Sequence, residues 1–261
     1  MDEPGKGGPA QPVGPAAVPP SEPPLAPAPE PAPSALARIP GVFFSPVRTF
    51  ESIARRPTWL APLILSTAMS LGLTAAILQK IDYGQLTRQA MQQRGQTVPE
   101  DQMASIVEKQ KKFGAIFGWV FGVVGPAVAC LLVAVVIWGA FKAFGWDARF
   151  SQAFGVTTHA FLPGVLKSAF LLFLITRQET VNPRALGDLV SSNLGFLVDS
   201  KAAALHSVLQ SIDVFSFWTL ALLVVGFAAA ARVSRKAAAG IIIALWALFV
   251  LGKAGIAGIF G

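Results

Sequence analysis

Five long apolar segments, each bounded by polar or basic residues, dominate the pattern along the chain. They cover residues 59–79, 113–144, 153–176, 214–231 and 237–260. A helix rises about 1.5 Å per residue, so segments of this length suffice to cross a hydrocarbon layer roughly 30 Å thick. The pattern therefore predicts an all-α integral membrane protein with five transmembrane helices.

Two segments of different character precede the first span. Residues 1–37 are rich in Pro and Ala and show no apolar periodicity, which predicts a disordered, partly polyproline tail. Residues 38–57 contain a short predicted helix with Ser45 as its N-cap and Pro46 at its first position. This helix is amphipathic and either lies in the membrane interface or packs on the bundle. The predicted membrane-interface residues are Phe43, Phe44, Phe50 and Trp59.

The second span repeats glycine at every fourth position, as Gly114, Gly118 and Gly122. Small residues at this spacing let another helix approach closely. We predict that the groove packs a helix of the same bundle, and a homo-oligomer is the alternative use of it. Upstream, Thr97 to Glu100 resembles a capping box, which predicts a helix that begins near Pro99 and runs directly into the span.

The third span carries His159, Pro163 and Lys167 at intervals of four residues, which places them along one stripe of a helix. A charged lysine near mid-span costs about 3 kcal/mol on the insertion scale unless a neighbouring group or water solvates it. The stripe is therefore the candidate intramembrane polar site. A structural interpretation remains open, in which Lys167 reaches the interface, Pro163 kinks the helix and His159 bonds a carbonyl. Because the other spans contain no interior Asp or Glu, we expect no ion pair for Lys167 at depth.

Composition supports a membrane protein: 53% of the residues are hydrophobic and 13% are charged, against roughly 25% charged in soluble domains. The net charge of +7 does not indicate nucleic acid, because Lys and Arg flank the apolar segments. Basic residues are more frequent on the side that holds the N-terminus. This bias predicts a cytoplasmic N-terminus and, with five spans, a C-terminus outside.

The sequence lacks the common catalytic motifs, including GxSxG, HExxH, the Walker A loop, GxGxxG and CxxC. Its two histidines, His159 and His206, lie in different segments, and Cys130 is the single cysteine. We therefore expect a protein that is not an enzyme and that has no cofactor and no metal site.

Several segments from Ile39 to the C-terminus resemble the Ypt-interacting-protein (YIP) family of five-span membrane proteins, in its bacterial branch. They are GVFFSPVRTFESIARRPTWLAPL, EKQKKFGAIFG, HAFLPG and SSNLGFLVD. The resemblance implies a bacterial inner membrane and a cytoplasmic N-terminus. Eukaryotic members resemble partners of Rab-type small GTPases in vesicle traffic and organelle shaping. The Pro/Ala tail here lacks the acidic and aromatic motifs of those members, so a GTPase partner rests on family analogy alone.

Two hypotheses for function follow. The first is a non-enzymatic membrane protein that organises membranes or partner proteins, with the lipid bilayer as its main partner and the tail as a contact for proteins. The second is a small transporter, channel or lipid-handling protein whose pathway passes His159, Pro163 and Lys167.

Overall fold

A computed structural model describes residues 33–93, 95, 99–183, 186–198 and 202–260. Most of the predicted tail, and Thr97 of the predicted capping box, lie outside the described residues. The helices are α1 (Arg38–Phe44), α2 (Pro46–Arg55), α3 (Leu60–Lys80), α4 (Tyr83–Gln93), α5 (Glu100–Ala143), α6 (Phe150–Ala160), α7 (Leu162–Thr176), α8 (Leu186–Leu189), α9 (Ala203–Ser211), α10 (Val214–Ala231) and α11 (Arg235–Phe260), with a 3-10 turn at Gly195–Leu197.

Five helical stretches are long and apolar enough to cross a membrane, which confirms the predicted all-helical membrane fold. They are Leu60–Lys80, Gln102–Ala143, Phe150–Thr176, Val214–Ala231 and Arg235–Ile259. The second stretch belongs to α5, an unbroken helix of 44 residues with Pro99 at its N-cap. At about 1.5 Å per residue this helix is roughly twice as long as the hydrocarbon layer is thick. Its polar first turns therefore extend beyond the layer.

The third span is divided into α6 and α7 at Phe161. Pro163 lies in the first turn of α7 and has no N–H to donate to the carbonyl of His159. The backbone turns at Phe161 instead, where Phe161 N donates to Thr157 O at 3.1 Å and Gly164 N donates to Phe161 O at 2.9 Å. The helix is thus interrupted at Phe161, in the turn where Pro163 removes a backbone donor.

The helix α4 follows the first span, in a polar stretch where the sequence pattern predicted no helix. The Asp82 carboxylate accepts a hydrogen bond from Gln85 N at 2.9 Å and so caps the helix start. Thr87 Oγ1 donates to Gln110 Oε1 at 2.8 Å, which fastens α4 to the first turns of α5. The helix is short and polar, so its apolar periodicity was too weak to predict it.

We call the side of the bundle that holds the C-terminal end of α2 and the connections 144–149 and 232–234 the N-terminal face. The main hydrophobic core lies near this face, where α2, α5, α6, α10 and α11 meet. Phe141 stands at its centre, with its ring 5.2 Å from that of Phe227 and 4.9 Å from that of Trp146. The Trp138 indole donates to Ala148 O at 2.9 Å and fixes the turn between α5 and α6.

The amphipathic helix α2 packs on the bundle and not on lipid. Its Phe50 and Ile53 side chains are fully buried in the core. Gly226 of α10 permits this contact: a Cβ there would lie 2.3 Å from Val156 Cγ1 and 2.8 Å from the Phe50 ring. The prediction that Phe50 lies in the membrane interface is therefore wrong.

Large apolar side chains elsewhere on the spans point outward from the bundle. Examples from three spans are Phe121, Leu132, Phe170 and Phe249. A soluble protein would rarely expose apolar surface over whole helices. In a hydrocarbon layer these side chains contact lipid, as five membrane-spanning helices require.

Candidate functional site

The three residues of the predicted stripe do not form one site. His159 is near the end of α6 and Lys167 is in α7, about 12 Å further along at 1.5 Å per residue. Pro163 is buried at the helix break between them. The two ionisable side chains contact different parts of the molecule, so each is described with its own partners.

His159 is completely buried among its neighbours on the N-terminal half of the third span. Its Nδ1 lies 2.8 Å from Gly155 O, and because a carbonyl oxygen only accepts, Nδ1 carries the proton in this contact. Nε2 is buried and has no hydrogen-bond partner among the described residues. The histidine thus bonds a carbonyl of its own helix, as the structural interpretation of the stripe expected.

A buried arginine, Arg38 of α1, lies close enough to His159 to interact with it electrostatically. Its Nη1 donates to Arg56 O at 2.8 Å and to Thr58 Oγ1 at 2.7 Å, and its Nη2 donates to Ser52 Oγ at 2.9 Å. These partners belong to α2 and to the segment that enters the first span. Burial, with a smaller effect of Arg56, holds the pKa of Arg38 below its ordinary value. Arg38 therefore latches α1 to the bundle.

Lys167 forms an ion pair with Asp213, the residue directly before α10. The Nζ–Oδ2 distance is 2.8 Å, and the side chains are 30% and 1% exposed, respectively. Ser192, from the connection after the third span, also donates to Asp213 Oδ2. The expectation that Lys167 lacks a carboxylate partner is wrong, because the acid comes from the end of a loop and not from the interior of a span.

Asp213 is the N-cap of α10, and four donors surround its carboxylate. Besides Lys167 and Ser192, Phe215 N and Ser216 N donate to Oδ1 at 2.9 and 3.1 Å. Burial favours the neutral acid, but the bonds from Lys167 and Ser192 outweigh it and hold the pKa of Asp213 below its ordinary value. The positive end of the α10 dipole acts in the same direction.

A second lysine approaches this cluster from the fifth span. Lys253 Nζ lies 3.3 Å from Ser211 Oγ and 3.4 Å from Ser207 O, both in α9. Lys253 also interacts electrostatically with Lys167. We call Lys167, Ser192, Ser211, Asp213 and Lys253 the polar cluster. It joins the third, fourth and fifth spans to the loop helix α9 on the side opposite the N-terminal face.

Capping and turn contacts hold the loop around the polar cluster. Asn193 Nδ2 donates to Gly187 O at 3.0 Å, and its Oδ1 accepts from Gly195 N at 2.8 Å. Gln210 Nε2 donates to Asp188 Oδ1 at 2.9 Å. Nowhere in the described part of the chain do three His, Cys, Asp or Glu side chains come together as metal ligands would.

The arrangement is that of a structural clamp. A buried carboxylate with four donors has little capacity left to take up a proton or to bind a cation. Removal of Lys167 would leave the buried charge of Asp213 without its ion-pair partner, which is costly. The polar cluster therefore stabilises the junction of three spans with the loop.

The glycines of the second span face other elements of the same chain. A Cβ at Gly114 would lie 2.9 Å from the Tyr83 hydroxyl, and one at Gly122 would lie 3.0 Å from Thr74 Oγ1. A Cβ at Gly118 would be 3.4 Å from Leu78 and Thr74. The groove thus receives α3 and the start of α4, as packing inside the bundle requires.

The other three predicted interface aromatics, Phe43, Phe44 and Trp59, belong to the segments that precede the first span. Phe44 is 86% exposed at the end of α1. Phe43 is partly covered, with its ring edge against Trp218 at 5.4 Å. Trp218 is in the first turns of α10, about 21 Å along that helix from Arg232 at 1.5 Å per residue, so the end of α1 lies well below the N-terminal face. Trp59 is exposed on one side and contacts Phe154 on the other, at 5.7 Å.

Sequence reasoning missed Asp213, Lys253 and Arg38 as members of these contacts. A usable signal existed for Asp213, because an aspartate directly before an apolar helix is a common N-cap. Its pairing with Lys167 has no sequence signal, since 46 residues separate them. Arg38 lies in a short helix between the tail and Pro46, where no periodicity marked it as buried.

Comparison with known proteins identifies the family. A model of the Yip1 domain matches residues 41–256. Among characterised proteins, the membrane protein YknW of Bacillus subtilis (strain 168) is 25% identical over 202 residues, which are 76% of this chain and 80% of YknW. No solved structure matches the chain. Because the domain match spans the five membrane helices and the helix α2 that precedes them, the chain belongs to the Yip1 family.

Proposed function

We propose that this Yip1-family protein is not an enzyme and that it organises the bilayer, or proteins bound to it, by presenting a fixed apolar wedge to the surrounding lipid. The observation that carries the proposal is Phe44. Its ring is almost fully exposed at the end of a helix that Arg38 latches to the bundle. An aromatic ring held in this way displaces lipid beside the bundle without the loss of loop entropy that a mobile segment would suffer.

The contacts of the third span add support. His159 bonds its own helix, and Lys167 is engaged by Asp213. A transport pathway along the stripe would need these groups free to meet a substrate or ion. The described residues offer no observation in favour of the transporter hypothesis.

We propose that the N-terminal face lies on the cytoplasmic side of a bacterial inner membrane. Arginines gather there, at positions 55, 56, 149, 232 and 235, as positive-inside orientation favours. Lys109, Lys111 and Lys112 lie on the other side and oppose this choice. Reporter fusions at Gly261 and within residues 232–236 should report opposite compartments. The same compartment for both would contradict the proposed topology.

The wedge is tested in vesicles reconstituted with the full chain at fixed lipid-to-protein ratio, with diameters measured by electron cryomicroscopy. The wild type should narrow the diameter distribution relative to protein-free vesicles, and Phe44→Ser should remove the effect. Phe144→Ser is the matched control, because Phe144 is another exposed phenylalanine, in the connection that follows α5 and not in α1. Equal diameters for wild-type and protein-free vesicles, or equal losses in both variants, would contradict the proposal.

A further inference from the structure

A cleft opens on the N-terminal face. It has a volume of about 750 Å³, and residues from α2, from the starts of α6 and α11 and from the end of α10 line it. Known ligand pockets occupy about 300–1,000 Å³. The cleft is therefore large enough for a small molecule or a lipid headgroup.

The charge of the cleft is strongly positive. Its charged lining residues are Glu51, Arg55, Arg149, Arg232 and Arg235, which leaves an excess of positive charge. Glu51 is 3.8 Å from Arg55 across one turn of α2, and both side chains are exposed, so the pair is weak. Arginine guanidinium groups match the geometry of phosphate oxygens and bind them through paired hydrogen bonds.

Arg232 provides an independent observation. It ends α10 with φ 56° and ψ 41°, and it is the one non-glycine residue with positive φ in the described part of the chain. Glycine is the usual residue at such a helix end, because a side chain disfavours the left-handed conformation. A strained residue that carries charge into a cleft indicates that the charge is used there.

A nearby acid does not neutralise Arg232. Asp147 is close enough to interact with Arg232, but its carboxylate accepts a hydrogen bond from Lys142 at 2.7 Å. That bond lowers the pKa of Asp147. The N-termini of α6 and α11 begin beside Arg149 and at Arg235, and their dipoles add positive potential at the cleft.

The apolar part of the cleft favours a lipid over a soluble anion as its ligand. Val225 and Ala229, in the last turns of a membrane-spanning helix, form one wall, and Val47 of α2 and Val233 complete it. An amphipathic ligand satisfies both parts, with its phosphate on the arginines and the start of its acyl chains on these residues. Inorganic phosphate has no apolar portion to place there.

We propose that this cleft binds the phosphate headgroup of an anionic phospholipid at the N-terminal face. The inference depends on the membrane fold and not on the proposed wedge function. Phosphatidylglycerol is the probe, and phosphatidylcholine with the same acyl chains is its zwitterionic comparison. Inorganic phosphate distinguishes a soluble anion from a lipid.

The experiment uses the full chain in a neutral detergent and measures lipid retention by native mass spectrometry and the thermal midpoint during lipid titration. Phosphatidylglycerol should be retained and should raise the midpoint, because a ligand of the folded state stabilises it. Arg232→Gly should preserve or raise the lipid-free midpoint, since glycine relieves the positive φ. It should also raise the concentration for half-maximal shift by about tenfold, as expected for loss of one arginine–phosphate contact.

Arg149→Met is the second variant and should weaken the response similarly. Lys236→Met is the matched control, because Lys236 is an exposed cation on the same face and does not line the cleft. Its response should equal that of the wild type. Three results would overturn the proposal: equal responses to the two lipids, equal weakening in Lys236→Met and Arg232→Gly, or inorganic phosphate that reproduces the shift at the same concentration.

Discussion

Replacement of Lys167 by methionine tests the polar cluster, because it removes the charge that faces Asp213 and keeps a long apolar side chain. Breaking a buried pair from one side costs about 3–5 kcal/mol. Here Asp213 keeps the Ser192 hydroxyl and two backbone N–H donors, and the Lys167 side chain is partly exposed. We therefore expect Lys167→Met to reduce the free energy of unfolding by about 2 kcal/mol.

In a chain of this size, 1 kcal/mol corresponds to roughly 2–4 °C in the thermal midpoint, so the loss should be about 4–8 °C. The assay is thermal unfolding in detergent, followed by near-ultraviolet circular dichroism. Lys142→Met is the matched control. Lys142 also has a carboxylate partner at 2.7 Å, but Asp147 is 96% exposed, so water takes the place of the lost partner and the midpoint should not change.

A second substitution distinguishes the effect of the Asp213 charge from that of its N-cap hydrogen bonds. Asp213→Asn keeps an N-cap acceptor for α10 but removes the carboxylate charge. Combined with Lys167→Met, it eliminates the unpaired buried charge, so the double variant should be more stable than Lys167→Met alone. An unchanged midpoint in Lys167→Met, or losses that simply add in the double variant, would refute the reasoning.

Three further predictions concern other contacts. Gly226→Ala should lower the free energy of unfolding by about 1–3 kcal/mol, because its methyl would clash with Val156 and Phe50. Gly240→Ala, where no atom lies within 4 Å of the added Cβ, should show no loss in the same thermal assay. Arg38→Met should raise the hydrogen-exchange rate of α1 amides by releasing its latch, and unchanged exchange would contradict the latch. Since the folded pKa of Asp213 is lowered, its contribution is complete above the unfolded value of about 3.9 and disappears as pH falls through the folded value. The stability difference between wild type and Asp213→Asn should therefore be constant from pH 7 to 5 and decrease below pH 4.

The spans were predictable because apolar length alone defines a membrane helix. The same holds for the break at Pro163 and for the start of α2 at Pro46, since proline acts on its own helix. These features are local, so a single segment contains the information that determines them.

The placement of α2 was not predictable, because the same apolar face fits lipid or a bundle. What decides between them is Gly226, which admits Phe50 from more than 170 positions earlier in the chain. The Lys167–Asp213 pair was not predictable for the same reason, because Asp213 lies at the end of a loop, 46 residues after Lys167. Contacts between distant segments depend on how helices assemble, and the pattern of one segment does not contain that information.

The claim that the polar side chains of the third span hold the fold together, and do not line a pathway, has a direct measurement. Proteoliposomes are assayed for ion flux and lipid scrambling with wild type, His159→Ala and Lys167→Met, each checked for folded protein. We predict that all three match protein-free liposomes in both assays. Flux or scrambling by the wild type that either substitution abolishes, in protein that remains folded, would contradict it.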